Sequence, residues 1–180
     1  NPVQNLAKAL FEMDLYDFEE DEAIFHLQAT LKRSGLGLVE AIKQSEIEEG
    51  ANLLIVVDQF EELFRFSRSG QSQDEQAAAF VKLLLEASRQ SDIPIYVAIT
   101  MRSDYIGDCA QFPDLTESVN EGEYLVPRLK RDQRRTAIEG PIKVAGGEIA
   151  PRLTQKLLND FGNDPDQLPI LQHALMRMWD

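Results

Sequence analysis

The chain has 180 residues, is 43% hydrophobic and 27% charged, and carries a formal net charge of −13. That length suits one domain, or one domain with a small satellite, and allows a sizeable buried core. The acidic balance argues against a partner made of nucleic acid or anionic membrane, because phosphates reward basic surfaces.

No wholly apolar run is longer than that of Leu53 to Val57, far short of a membrane span, and no signal-peptide pattern opens the chain. The single cysteine, Cys109, excludes an internal disulfide and fits a reducing compartment, so a cytoplasmic setting is expected. His26 and His173 stand alone and give no zinc-ligand spacing. The first residue is Asn1 rather than Met, so the chain is expected to be a piece of something longer, or processed.

Residues 1–50 read as helical and acidic. "AIFHLQATLKRSG" places Ile24, Leu27 and Leu31 on one stripe and stops at Gly35, a C-terminal cap. "LGLVEAIKQSEIEEG" repeats the pattern with Leu38, Ile42 and Ile47 and stops at Gly50. Phe18 to Glu22 ("FEEDE") reads as a solvated helix start, where acidic side chains suit the positive end of the dipole.

The texture then changes. Leu53 to Val57 is β-rich and apolar on both faces, which suits a central parallel strand. "SQDEQAAAFVKLLLEASRQ" follows, with Ser72 and Glu75 spaced as a capping box and Phe80, Leu83, Leu84 and Ala87 as the buried stripe. Ile93 to Arg102 is a second buried strand, with Pro94 tolerated near its start. A helical stretch from Asp104 to Asn120, broken near Pro113, leads to a third short strand, Glu123 to Pro127. Two βαβ units imply parallel strands with right-handed crossovers.

From Lys130 the pattern is helical again. "LKRDQRRTAIEGP" ends at Gly140-Pro141. "PRLTQKLLNDFGN" has Pro151 in its first turn, Leu153, Leu157 and Phe161 inside, and Gly162 past its end. "QLPILQHALMRMW" aligns Leu168, Leu171, Leu175 and Met178. The expected fold is an α/β molecule: a partial parallel sheet of about three strands flanked by helices, with a C-terminal helical subdomain. The expected segments are 1–50, 51–128 and 129–180.

Asp58 ends the first apolar run, and ligands of open α/β sheets sit at the carboxyl ends of strands. A hydrated Mg²⁺ is a natural partner there. Glu61 or Glu62, just beyond, stands where a carboxylate orients a water for attack on a phosphate. The plainer alternative makes Asp58 a helix cap with Glu61 as its capping-box partner. At the end of the second strand, Thr100, Arg102 and Asp104 emerge at the same edge as Asp58. A cation there suits a terminal phosphate; the alternative is an ion pair of Arg102 with Asp104 or Glu62.

"LLIVVDQFEELF", "AITMRSDY", "LVPRLKRDQRRTAIEGP" and "FGNDPDQLPILQHAL" resemble, in that order and spacing, the novel STAND group of P-loop NTPases. These are signal-transduction ATPases of large multidomain bacterial proteins. The resemblance runs from about Asn52 to the end. It implies that Asp58 is the Walker B aspartate holding Mg²⁺ through water. It implies that Glu61 or Glu62 polarises the attacking water and that Arg102 is the sensor that reads the γ-phosphate. It implies that Pro169, in "DQLPIL", lies against the adenine. Residues 127–135 resemble the junction to the helical subdomain. Their cations Arg128, Arg131, Arg134 and Arg135 face phosphate in one reading and form a solvated helix face in another.

The chain departs from the family in having no G-x-x-x-x-G-K-S/T loop, whose backbone N–H groups and lysine carry most phosphate binding. "RSGLGL" and "VAGGEI" do not supply it. The loop is expected upstream of Asn1. The strand that precedes it normally lies between the second and third strands here, so those two are not expected to pair. The resemblance implies that ATP or ADP with Mg²⁺ binds the intact domain, which acts as a nucleotide-dependent switch in contact with repeat or effector domains. It leaves room for a nucleotide-dependent oligomer. The parent is then a slow ATPase, and this chain alone is inactive. The competing expectation is a degenerate, non-catalytic interaction scaffold. A third is a carboxylate–metal hydrolase built on Asp58, Glu61 and Asp104.

Overall fold

Asn1 opens helix α1 (Pro2–Phe11) by accepting the N–H groups of Val3 at 3.1 Å and Gln4 at 3.4 Å, and Pro2 suits the first turn. The computed structural model describes residues 1–16, 20–48, 50–160 and 168–179. They fall into two units, Asn1–Glu123 and Tyr124–Asp180.

In the first unit α1 buries Val3, Leu6, Ala7 and Leu10. Helix α2 (Glu20–Arg33) buries Leu27 and Leu31, as its stripe predicts. Of the acidic stretch 18–22, residues 18 and 19 lie outside the described residues. Helix α3 (Gly37–Lys43) buries Leu38 and Ile42 but ends with Gln44 as its C-cap, well before the predicted stop at Gly50. Gly37 makes the α2–α3 approach possible: an added Cβ would meet the Thr30 carbonyl oxygen at 2.4 Å.

Strand β1 (Leu53–Val57) has the predicted bounds. Helices α4 (Glu61–Ser67) and α5 (Gln71–Ser88) lead to strand β2 (Ile95–Ile99). The strands pair in parallel, Leu53 opposite Ile95 through Val57 opposite Ile99. Helix α5 buries Phe80, Leu83, Leu84 and Ala87. Its start differs from the predicted capping box: Gly70, at φ +154°, is the N-cap, and Ser72 instead accepts from Gln76 at 3.3 Å. A 3-10 helix (Ser103–Gln111) and helix α6 (Pro113–Gly122) follow, the break falling at Pro113 as predicted.

Two expectations about the sheet are corrected. Among the described residues the sheet has two strands, not three. Residues 123–127 form no strand; Tyr124, Leu125 and Val126 are exposed. A β-rich segment becomes a strand only when a neighbour takes its N–H and C=O groups, and it makes no ladder with β2. Among the described residues the expected third strand is therefore not formed. Nor is β1 covered on both faces. Leu53, Ile55 and Ile95 are buried, whereas Leu54, Val56 and Tyr96 are 61%, 58% and 59% exposed. Helix α5 packs on β2, so one face of the sheet belongs to the core and the other is open.

The second unit holds α7 (Arg131–Val144), α8 (Pro151–Asp160) and α9 (Leu168–Trp179) around Ile138, Leu157, Leu158 and Leu171. Helix α7 runs through Gly140-Pro141 instead of stopping there. Proline removes its own donor, but its carbonyl still accepts the Ala145 N–H at 3.0 Å. Leu153 and Leu175 are partly buried against this core, while Met178 is 49% exposed and off the buried face. Phe161, Gly162 and the side chain of Leu168 lie outside the described residues. No helix among the described residues is long and apolar enough to cross a membrane.

Candidate functional site

The carboxyl ends of β1 and β2 carry the residues that the sequence singles out. After Val57 the chain turns sharply: Gln59 has φ +54°, a left-handed conformation uncommon for a residue with a side chain. The turn is held from β2. The Thr100 N–H donates to the Val57 carbonyl at 3.0 Å, and the Phe60 N–H donates to the Thr100 carbonyl at 2.8 Å. The Thr100 hydroxyl accepts the Gln59 N–H at 3.2 Å and itself donates to Asp58 Oδ1.

Asp58 is exposed rather than buried. It does not cap α4: the N-cap is Phe60, with no side-chain cap bond, so the Asp58–Glu61 capping box is not formed. Helix α4 is anchored by aromatic packing. Phe60 and Phe64 are 1% and 0% exposed and meet edge to face, with centroids 5.6 Å apart. This fixes the two glutamates at the start of the helix in different settings. Glu61 is 7% exposed, and its Oε2 has no hydrogen-bond partner. Glu62 is exposed and pairs with Arg65 at 2.5 Å.

Arg65 and Tyr105 are members of this edge that sequence reasoning missed. The Arg65 guanidinium donates to the Tyr105 hydroxyl at 3.1 Å and lies 5.8 Å from the ring centroid; Arg102 lies 5.9 Å from the same centroid. The Tyr105 hydrogen bond, then the Glu62 charge, raise the Arg65 pKa further above its ordinary value. The signal was present in the spacing of Arg65, three residues after Glu62. Arg102 makes the Asp104 pair, a fork at 3.1 and 3.0 Å, and that hydrogen bonding holds the Asp104 carboxyl below its usual range. Both partners are exposed, so the pair adds little stability.

A groove of about 610 Å³ runs along the open face of β1, between Leu54 and Val56 on one side and Leu6 and Ala9 of α1 with Met13 just past its end on the other. Asp58 and Glu62 line it, and Glu61 does not. The donor set at Asp58 fits a hydrated Mg²⁺: one exposed carboxylate, oriented through Oδ1 by Thr100, with room for the waters this ion retains. Among the described residues no three His, Cys, Asp or Glu side chains gather as a metal site. The hydrolase centre of Asp58, Glu61 and Asp104 is therefore not assembled.

The remaining candidates lie in the second unit. Pro169 is exposed near the start of α9. Arg131 donates to the Leu158 carbonyl at 3.1 Å and to Asn159 at 2.5 Å, and Arg135 donates to Gln155 at 3.3 Å. These two cations fasten α7 to α8.

Asp58 and Thr100 stand at the carboxyl edge of a parallel strand pair, the edge where open α/β sheets hold their ligands. The family model described as Novel STAND NTPase 1 matches residues 1–180, and the chain belongs to that family of NTPases. Comparison with curated proteins finds no match, and comparison with solved structures finds none.

Proposed function

We propose that this chain is the Walker B and helical part of a STAND-type regulatory ATPase, a nucleotide-dependent switch whose intact domain binds Mg-ATP or Mg-ADP. The observation that carries this reading is Asp58, exposed at the strand end and oriented by Thr100 instead of capping α4. In this reading Asp58 would hold a hydrated Mg²⁺ through water, and the ion would supply charge neutralisation for the nucleotide's phosphates. Glu62, which shares the groove with Asp58, orients the attacking water. Its exposed pair with Arg65 is weak enough to exchange for that water. Arg102 reads the γ-phosphate after leaving Asp104, and Pro169 contacts the adenine. These 180 residues hold no G-x-x-x-x-G-K-S/T loop to cradle phosphate, so this chain alone binds nucleotide poorly and hydrolyses none. Attached repeat or effector domains receive the change in bound nucleotide, in a cytoplasmic setting.

The test is Asp58→Ala in the full-length protein, with Mg-ATP and Mg-ADP affinity measured by calorimetry and phosphate release measured in parallel. Affinity or hydrolysis should fall about tenfold or more. Unchanged values for both remove Asp58 from the site and favour the interaction scaffold.

A further inference from the structure

We infer that Thr100 is the positioning residue for Asp58: its hydroxyl sets both the carboxylate and the left-handed turn behind it for metal-linked nucleotide binding. The inference rests on the nucleotide reading above and deepens it: the hydroxyl that orients Asp58 also holds the turn at Gln59.

Every polar group of Thr100 is committed to residues 57–60. Its N–H and C=O continue the strand ladder past the last paired residues, to Val57 at 3.0 Å and from Phe60 at 2.8 Å. Any residue but proline could make those two bonds at this position. The hydroxyl adds what only serine or threonine could add here. As acceptor it takes the Gln59 N–H at 3.2 Å, and as donor it reaches Asp58 Oδ1. A hydroxyl has one proton and two lone pairs, so it can serve both partners at once. The β-branch keeps the position compatible with extended backbone.

The two bonds have a common consequence. Gln59 stands at φ +54°, a conformation that costs a side-chain-bearing residue and persists only where its surroundings hold it. Bonds from Thr100 to the N–H groups of Gln59 and Phe60 do that holding from the neighbouring strand. Asp58, one residue earlier, is exposed and would otherwise sample several rotamers. With Oδ1 engaged, the carboxylate presents its other oxygen in a fixed direction, as partners behind a metal ligand commonly arrange. Asp58 leaves one strand and Thr100 the other, so the clamp also ties the ligand to the sheet register instead of to a loop.

The test compares Thr100→Val and Thr100→Ser with wild type in the full-length protein. Nucleotide affinity is measured with Mg²⁺ and with chelator, alongside amide exchange at Gln59 and Phe60. Valine keeps the shape and loses the hydroxyl. It should weaken Mg-ATP binding about tenfold, leave Mg-free binding unchanged, and speed exchange at Gln59 while Phe60, bonded to the backbone carbonyl, stays protected. Serine should restore wild-type values. A valine variant with wild-type Mg²⁺ dependence overturns the inference, as does equal loss with and without Mg²⁺, which would mean general damage. A wild-type protein that binds no Mg-nucleotide overturns the nucleotide reading itself. That failure is told apart from the first because it appears before any variant is made.

Discussion

Phe64→Ala isolates the packing that carries the glutamates of α4. The ring is fully buried, with Phe60 edge to face at 5.6 Å and Phe112 and Tyr105 stacked at 6.4 and 6.5 Å. Truncating a buried Phe removes its transfer free energy and leaves a cavity, a cost of about 3–5 kcal/mol. Losing three aromatic neighbours at once puts the site toward the upper part of that range, since such pairs add to simple area burial. Against a total stability on the order of 5–15 kcal/mol, this is a large fraction. At about 4 °C per kcal/mol for a unit of this size, the melting temperature should fall by roughly 12–20 °C. The assay is thermal and urea unfolding followed by circular dichroism, with Phe25→Ala as the control. Phe25 is 71% exposed, and its truncation should change stability by no more than about 0.5 kcal/mol. Equal melting curves for the two variants would refute the claim that aromatic packing anchors α4.

Further outcomes follow from the same contacts. The Tyr16 hydroxyl donates to the Ala41 carbonyl at 3.0 Å, and burial pushes its pKa up to about 12. A raised folded pKa means that stability is fully present below the ordinary value of 10.0 and is lost as pH rises toward 12. Tyr16→Phe should therefore cost about 1 kcal/mol at neutral pH, and the gap from wild type should narrow between those two pH values; a constant gap in urea titrations would contradict this. Glu62→Gln should slow phosphate release by the full-length protein about a hundredfold or more, with Glu61→Gln retaining most activity. The reverse ranking would move the water-orienting role to the buried carboxylate.

The helices and the first strand were legible because burial imposes a period. Leu27 and Leu31, Leu38 and Ile42, and Phe80 with Leu83, Leu84 and Ala87 all face the core as spaced, and β1 has the bounds that its apolar run marks. The failures have a common cause in partners outside the local pattern. Apolar residues on both faces of β1 suggested burial on both, but Leu54 and Val56 are open, because a pattern records what a face suits and not what covers it. Residues 123–127 have strand composition and no ladder. At the candidate site the sequence put Asp58, Thr100, Arg102 and Asp104 on one edge, and the Arg102–Asp104 pair was one of its two alternatives. It could not separate Glu61 from Glu62. Their settings depend on how Phe60 and Phe64 rotate the first turn of α4. The i,i+3 spacing of Glu62 and Arg65 signalled their pair, but the contact of Arg65 with Tyr105 joins residues 40 apart in the chain, and no local period reports it.

The most direct test of the central claim is a calorimetric titration of Mg-ATP and Mg-ADP into the full-length protein, its Asp58→Ala variant, and this chain alone. The full-length protein should bind, the variant about tenfold or more weakly, and the isolated chain should give no measurable heat. Equal binding by wild type and variant, or none by either, would contradict the assignment of Asp58 to a nucleotide-bound Mg²⁺.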